Sequence, residues 1–161
     1  MRRYLVVAHQ TLASPELRDA MLARLSEGPA AFHLLVPQRQ GGGGQNGGGQ
    51  NGGGQRGGGQ RGGGMSWTEG DRRAVAEVAL EEARLAFTGQ GFAVTGEVGD
   101  ANPSYAVSDV LIRLGPDAFD EIIISTLPLG VSRWVHLDVP ARVARTTELP
   151  VTHVVAVHAD A

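Results

Sequence analysis

The chain has 161 residues, 42% of them apolar, and a formal charge of −3, which suits one domain with a real core and gives no general attraction to nucleic acid or anionic lipid. The 14 lysine and arginine positions are all arginine, and there is no cysteine. Those absences exclude a P-loop lysine, Schiff-base catalysis, thiol nucleophiles, disulfides and the common zinc clusters. The first apolar run is too short for a secretion signal, so we expect a cytoplasmic protein.

The first half of the chain predicts a strand, a helix and a second strand. The strand covers residues 3–8. The helix begins with Ser14 as N-cap and Pro15 in the first turn, and Gly28 ends it. The second strand covers 31–36. The predicted inner face of the helix consists of Leu17, Met21 and Leu25.

A low-complexity insert occupies residues 41–64, where three glycines and a glutamine alternate with asparagine or arginine. Glycine loses more backbone freedom on ordering than any other residue, and the tract has no apolar side chain to offset that loss, so we predict a flexible spacer. Two Arg-Gly-Gly units also permit an RNA-contacting interpretation. We consider it weak, because two arginines without an aromatic residue provide little charge and no stacking.

The second half of the chain continues the alternation of helix and strand. Ser66 to Glu69 resembles a capping box that opens the longest helix, and Asn102 with Pro103 begins the next helix. The predicted inner face of the longest helix consists of Val75, Ala79, Ala83 and Ala86, flanked by Leu80 and Phe87, and that of the next helix of Val107, Val110, Leu111 and Leu114. The remaining predictions are strands at 92–98, 121–125 and 151–158 and a helix within 138–148. Alternating strands and helices imply parallel pairing with right-handed crossovers, and hence a three-layer α/β sandwich with five strands.

The chain resembles the universal stress protein family over nearly its whole length outside the insert. The resemblance rests on Val98-Gly99-Asp100 after the third strand and on Leu149-Pro150-Val151 before the last. It implies a doubly wound parallel sheet in the order 3-2-1-4-5, of the adenine-nucleotide α-hydrolase-like kind. It also implies a homodimer through the last strand, 151–158, and many similar proteins bind ATP.

The glycine signature of the ATP-binding members is absent. Its pattern, Gly-x2-Gly-x9-Gly-(Ser/Thr), falls on Ser125, Pro128 and Asp138, and the aspartate that those members carry after the first strand falls at or beside His9. Proline has no N–H for a phosphate, and we expect Asp138 to cap the following helix and to repel an anion. We therefore predict that the nucleotide site is lost or weak and that no cofactor binds. The alternative is a site for ATP or AMP.

The candidate ligand-binding residues lie at the predicted carboxyl ends of the strands: His9, Val98, Gly99, Ser125, Thr126, Gly130 and Asp138. If the chain does bind ATP or AMP, we expect the backbone of Val98 and Gly99 to contact the base, and Ser125, Thr126 or Gly130 to contact the rest of the nucleotide. No Gly-x-Ser-x-Gly elbow surrounds Ser125, so a hydrolase triad with His9 is a poor hypothesis. His33, His153 and His158 lack partners at metal spacing and are predicted to be structural.

Three functions remain open. The preferred one is a regulatory, stress-response domain without catalysis that acts by dimerisation and contact with a protein partner. The second is a module that binds ATP or AMP. The third is a nucleotidyl-transfer enzyme with His9 as the remnant of a His-x-Gly-His motif, which His9-Gln10-Thr11-Leu12 matches only at its first position.

Overall fold

A computed structural model describes residues 1–38, 69–128 and 138–157. Its strands are β1 (Arg2–Val7), β2 (Ala30–Pro37), β3 (Ala93–Gly99), β4 (Glu121–Thr126) and β5 (Val151–Val155). Its helices are α1 (Pro15–Ser26), α2 (Glu69–Gly89), α3 (Pro103–Leu114) and α4 (Val139–Thr146), with a short 3-10 turn at Pro116–Ala118. The insert and the proposed capping residues 66–68 lie outside the described residues.

All strand pairs are parallel and the sheet order is β3-β2-β1-β4-β5, as predicted. β1 lies in the centre, where Val6 pairs with Leu34 of β2 on one side and with Ile123 of β4 on the other. Strands buried on both faces read as continuous apolar runs, and four consecutive residues of β1 are fully buried. The α/β sandwich predicted from the sequence is therefore confirmed.

Two hydrophobic clusters fill the space on the two faces of the sheet. Val6, Leu34 and Ile123 face the cluster under α1 and α2, whereas Leu5 and Ile124 face the cluster under α3 and α4. On the first face an aromatic chain runs from Tyr4 through Phe32 and Phe92 to Phe87, with ring centroids 5.2, 5.6 and 5.5 Å apart. Alternate residues along each strand thus pack against opposite helical layers.

The caps of α1 and α3 form as the sequence predicts. Ser14 accepts a hydrogen bond from Leu17 N at 3.1 Å, and Asn102 accepts from Ser104 N and Tyr105 N at 3.0 and 3.3 Å. Gly115 ends α3 at φ 95°, a conformation that glycine adopts without steric cost.

Two predicted inner faces need correction. In α2, Ala79, Ala83 and Phe87 face the core as predicted, but Ala76 is fully buried and Ala86 is exposed, so the buried line is shifted slightly around the helix from the predicted stripe. In α3, Leu114 is the last residue and is exposed, so the inner face ends at Leu111. Periodicity located both helices, but it did not fix their rotation about their axes.

Polar side chains connect distant elements on each face. Arg24 of α1 donates two hydrogen bonds to the Glu121 carboxylate, 3.0 and 2.7 Å long, and Thr152 of β5 also donates to Glu121. On the other face His33 Nε2 lies 2.7 Å from Glu97 Oε2, and Glu97 also pairs with Arg113. His33 thus has a carboxylate partner on the neighbouring strand, and this contact joins β2 to β3, which agrees with the structural role predicted for this histidine.

Candidate functional site

The crevice at the carboxyl ends of β1 and β4 is the expected ligand site of this architecture. The chain continues from β1 to β2 on one side and from β4 to β5 on the other, so the connections diverge at this point. His9 follows β1, Ser125 and Thr126 end β4, and Asp138 precedes α4. These four predicted residues therefore share one edge of the sheet, while Gly130 lies outside the described residues.

Val98 and Gly99 lie at the same edge but far from β4. Two strands separate β3 from β4, so three interstrand spacings give about 14 Å between them. Val98 belongs to the core on the α2 side. A Cβ on Gly99 would lie 2.9 Å from Ala106 Cβ, so this glycine permits close packing of β3 against α3. This close packing explains why residue 99 is glycine without invoking a ligand.

Ser125 is buried beneath the loop that follows β1. Its residue is 1% exposed, its Oγ has no hydrogen-bond partner among the described residues, and its carbonyl accepts a bond from Thr11 Oγ1 at 3.3 Å. Strand alternation places Ser125 on the same face as Ile123, toward α1 and α2. With no base within hydrogen-bonding distance in the described part of the chain, this hydroxyl is not an activated nucleophile.

The Thr126 hydroxyl points to the opposite face and is already engaged. It donates to Leu127 O at 2.9 Å and lies 2.7 Å from His153 Nε2 of β5. A hydroxyl has one hydrogen, so Thr126 accepts from His153, whose Nε2 carries the proton. Partial burial lowers the pKa of His153, which favours the neutral ring.

Asp138 occupies the N-cap position of α4 without capping it. Its backbone is left-handed, with φ 60° and ψ 40°, and its side chain makes no capping hydrogen bond. An N-cap needs an extended backbone to bring its side-chain oxygen to the second or third amide, so the predicted capping role was wrong. The exposed carboxylate nevertheless stands beside the helix start.

The first turn of α4 provides few amide donors. Pro140 has no N–H, and Arg142 N donates to Asp138 O at 3.0 Å. Only Val139 and Ala141 carry the remaining N–H groups of this turn. A phosphate cradle at a helix start depends on several converging amides, so this turn is a poor one.

His9 borders a second concave feature that the sequence did not reveal. A cleft of about 420 Å³ opens between α1 and α2, and its walls include His9, Gln10, Arg18, Ala83, Ala86 and Glu82. The one sequence signal for this cleft is the spacing of alanines on α2, and alanines at helical spacing also occur in ordinary packed helices. In the described ranges no group of three or more acidic or histidine side chains is placed to hold a metal ion.

The fold and this edge together define an open, doubly wound α/β domain with a crevice at the carboxyl ends of β1 and β4. The solved structures include a universal stress protein in complex with cAMP that covers 96% of this chain and 97% of its own, with 15% sequence identity and a TM-score of 0.52. No family model matches the chain, and no curated protein matches it in sequence. The chain therefore has the fold of a universal stress protein. None of the helices in residues 1–38, 69–128 and 138–157 combines the length and apolarity that a membrane span requires.

Proposed function

We propose that this chain is a regulatory domain of the universal-stress-protein kind without catalysis, whose site for a nucleoside triphosphate is weakened. The observation that carries the proposal is the start of α4, where the exposed Asp138 carboxylate stands beside the first turn without capping it and Pro140 supplies no amide. Each feature disfavours a polyanion, one by charge and the other by loss of a donor.

The end of β4 supports the same conclusion. Thr126 bonds Leu127 and His153, and Ser125 faces the core beneath the β1 loop. A phosphate group at this edge would have to displace the bond between Thr126 and His153 before the Thr126 hydroxyl could reach it, and the buried Ser125 hydroxyl faces away from Thr126. Such a rearrangement lowers affinity even where the crevice itself is open.

Calorimetry and thermal melting with ATP, AMP and cAMP test the proposal. A ligand at one hundred times its dissociation constant would add about 2.7 kcal/mol of stability, whereas we expect no shift with ATP. Asp138→Gly removes the carboxylate and suits the left-handed backbone, so ATP binding should increase. Asp138→Asn is the matched control for the loss of the side chain in Asp138→Gly: asparagine tolerates this backbone and keeps the size of aspartate but lacks its charge. A clear upward shift of the unmodified protein with ATP would refute the weakened site.

A module that binds a nucleotide with less negative charge is the second candidate. Two observations favour it: a protein of this fold has been solved with cAMP, and Asp138 adopts the left-handed backbone that a glycine at this position would adopt readily. AMP or cAMP places less charge beside Asp138 than ATP does. Binding of cAMP or AMP without ATP would favour this candidate over the first.

Dimerisation through β5 is part of the proposal. Among the described strands β5 lies at the edge of the sheet and pairs only with β4, and Val155 at its end and Val157 just beyond it are 40% and 65% exposed. An unpaired apolar edge favours pairing with a second copy. Light scattering should give a dimer, and Val155→Lys should shift it toward monomer. A monomer at high protein concentration would remove dimerisation from the proposal and leave the nucleotide tests unaffected.

A further inference from the structure

The cleft between α1 and α2 exists because the two helices occupy different parts of the same sheet face. α1 packs toward β5, where Arg24 bonds Glu121 and lies 3.3 Å from Thr152 Oγ1, whereas α2 packs over β2 and β3. The space left between them is the cleft of about 420 Å³. This volume lies within the range of small-molecule sites.

The cleft has an apolar interior. Leu12 and Phe87, which line it, are 7% and 4% exposed, and Ala83 and Ala86 leave room along the α2 wall. None of these side chains has a polar atom to satisfy. The interior therefore suits an apolar body, such as a branched or aromatic group.

Opposite charges stand on the two helical walls. Within the described part of the chain, the one ion pair of Arg18 in α1 is a distant one with Asp19, at 3.9 Å, and Glu82 of α2 has none. The neighbouring Glu81 differs, because its carboxylate is bound by Arg84 through two hydrogen bonds. The Gln10 and Gln90 amides, which also line the cleft, make no side-chain hydrogen bond to the described residues.

From this arrangement we infer that the cleft is a binding site for a small zwitterion with an apolar body, of the chemical class of the apolar amino acids. The carboxylate of the ligand pairs with Arg18, its ammonium group pairs with Glu82, and its side chain covers Phe87 and Leu12. Both charged side chains are long and exposed, so their ends can converge on one ligand. The site is separate from Ser125, Thr126 and Asp138 and does not depend on the function proposed for them.

Ligand-observed NMR titrations with three related probes test the charge requirement. L-phenylalanine carries both charges, N-acetyl-L-phenylalanine only the negative one, and L-phenylalaninamide, below neutral pH, only the positive one. Losing one exposed ion pair should weaken binding by about 1.4- to 5-fold. We expect L-phenylalanine to bind best, and Glu82→Gln should abolish its advantage over the N-acetyl probe. Absence of binding, or equal binding of all three probes, would overturn the inference.

A pair of variants tests the location. Ala86→Phe fills the cleft from its exposed rim and should reduce binding of L-phenylalanine about tenfold or more. Ala74→Phe is the matched control, since Ala74 is exposed on the same helix and does not line the cleft. Circular dichroism establishes that both variants fold. Equal binding by the two variants would place the ligand elsewhere and overturn the site.

Discussion

Replacing Gly99 by alanine tests whether this residue serves packing or a ligand. The new Cβ would lie 2.8 Å from Leu35 Cδ1 and 2.9 Å from Ala106 Cβ. Carbon atoms pack best at about 3.5–4.0 Å, so both contacts are too close by roughly 0.6–1.2 Å. Leu35 is fully buried, and Ala106 is held by α3, so neither can move freely. Gly99 has no left-handed φ, which leaves steric overlap as the cause of any loss.

The expected cost is about 1–3 kcal/mol, the usual penalty of overpacking a dense core. At about 2–4 °C per kcal/mol for a chain of this size, the melting temperature should fall by roughly 2–12 °C. Urea unfolding followed by circular dichroism measures the free energy directly. Gly89→Ala is the control, because its Cβ would meet nothing within 4 Å. It should leave stability unchanged or raise it by up to about 1 kcal/mol.

A double-mutant cycle identifies the contact. Ala106→Gly alone should cost about 1 kcal/mol through lost helix propensity, but combined with Gly99→Ala it removes one overlap. The two changes together should therefore destabilise less than the sum of their separate effects. If Gly99→Ala unfolds at the same urea concentration as the unmodified protein, the packing explanation fails and a ligand role for Gly99 regains support.

Three further predictions concern polar groups. The Arg24 guanidinium lowers the pKa of the Glu121 carboxyl, so this ion pair stabilises the fold above the unfolded carboxyl pKa of about 4.3, and the contribution is lost as the pH falls through the lower folded pKa. Glu121→Gln should therefore lower the free energy of unfolding by about 1–3 kcal/mol at neutral pH and by less in acid. Glu81→Gln, in the exposed pair with Arg84, should not change it measurably. Ser125→Ala should leave the free energy of unfolding unchanged or raise it, because the Ser125 Oγ has no partner among the described residues; a loss above about 1 kcal/mol would mean that this hydroxyl makes a stabilising hydrogen bond. Asn102→Ala should cost about 1 kcal/mol by uncapping α3, and a urea midpoint equal to that of the unmodified protein would contradict the cap.

The fold could be predicted from the sequence because its signals are local. Ser14 with Pro15 and Asn102 with Pro103 mark helix starts, and alternation of strand and helix fixes a parallel sheet. The rotation of α2 could not be predicted, because alanine and valine positions flank its buried line on both sides. The end of β5 could not be predicted either, because the apolar run in the sequence continues beyond Val155, where the hydrogen-bonded strand ends.

The site was harder to predict, because its properties depend on direction and on distant partners. Residue type suggested that Asp138 caps a helix, but its left-handed backbone turns the side chain away from the amides. Ser125 and Thr126 are adjacent in sequence but their side chains lie on opposite faces of the sheet, and the bond between His153 and Thr126 spans 27 positions. The cleft between α1 and α2 depends on how far apart the helices lie, which no sequence pattern encodes.

The imidazole of His153 offers a native spectroscopic reporter for the outer strand. Its proton resides on Nε2 because the Thr126 hydroxyl has already given its own hydrogen to Leu127. In a neutral ring the two nitrogens then have well-separated ¹⁵N frequencies, and breaking the bond to Thr126 would draw them together. Covering β5 with a second chain, or bringing a ligand to the end of β4, would thus be detectable at one ring without adding a label that alters the protein.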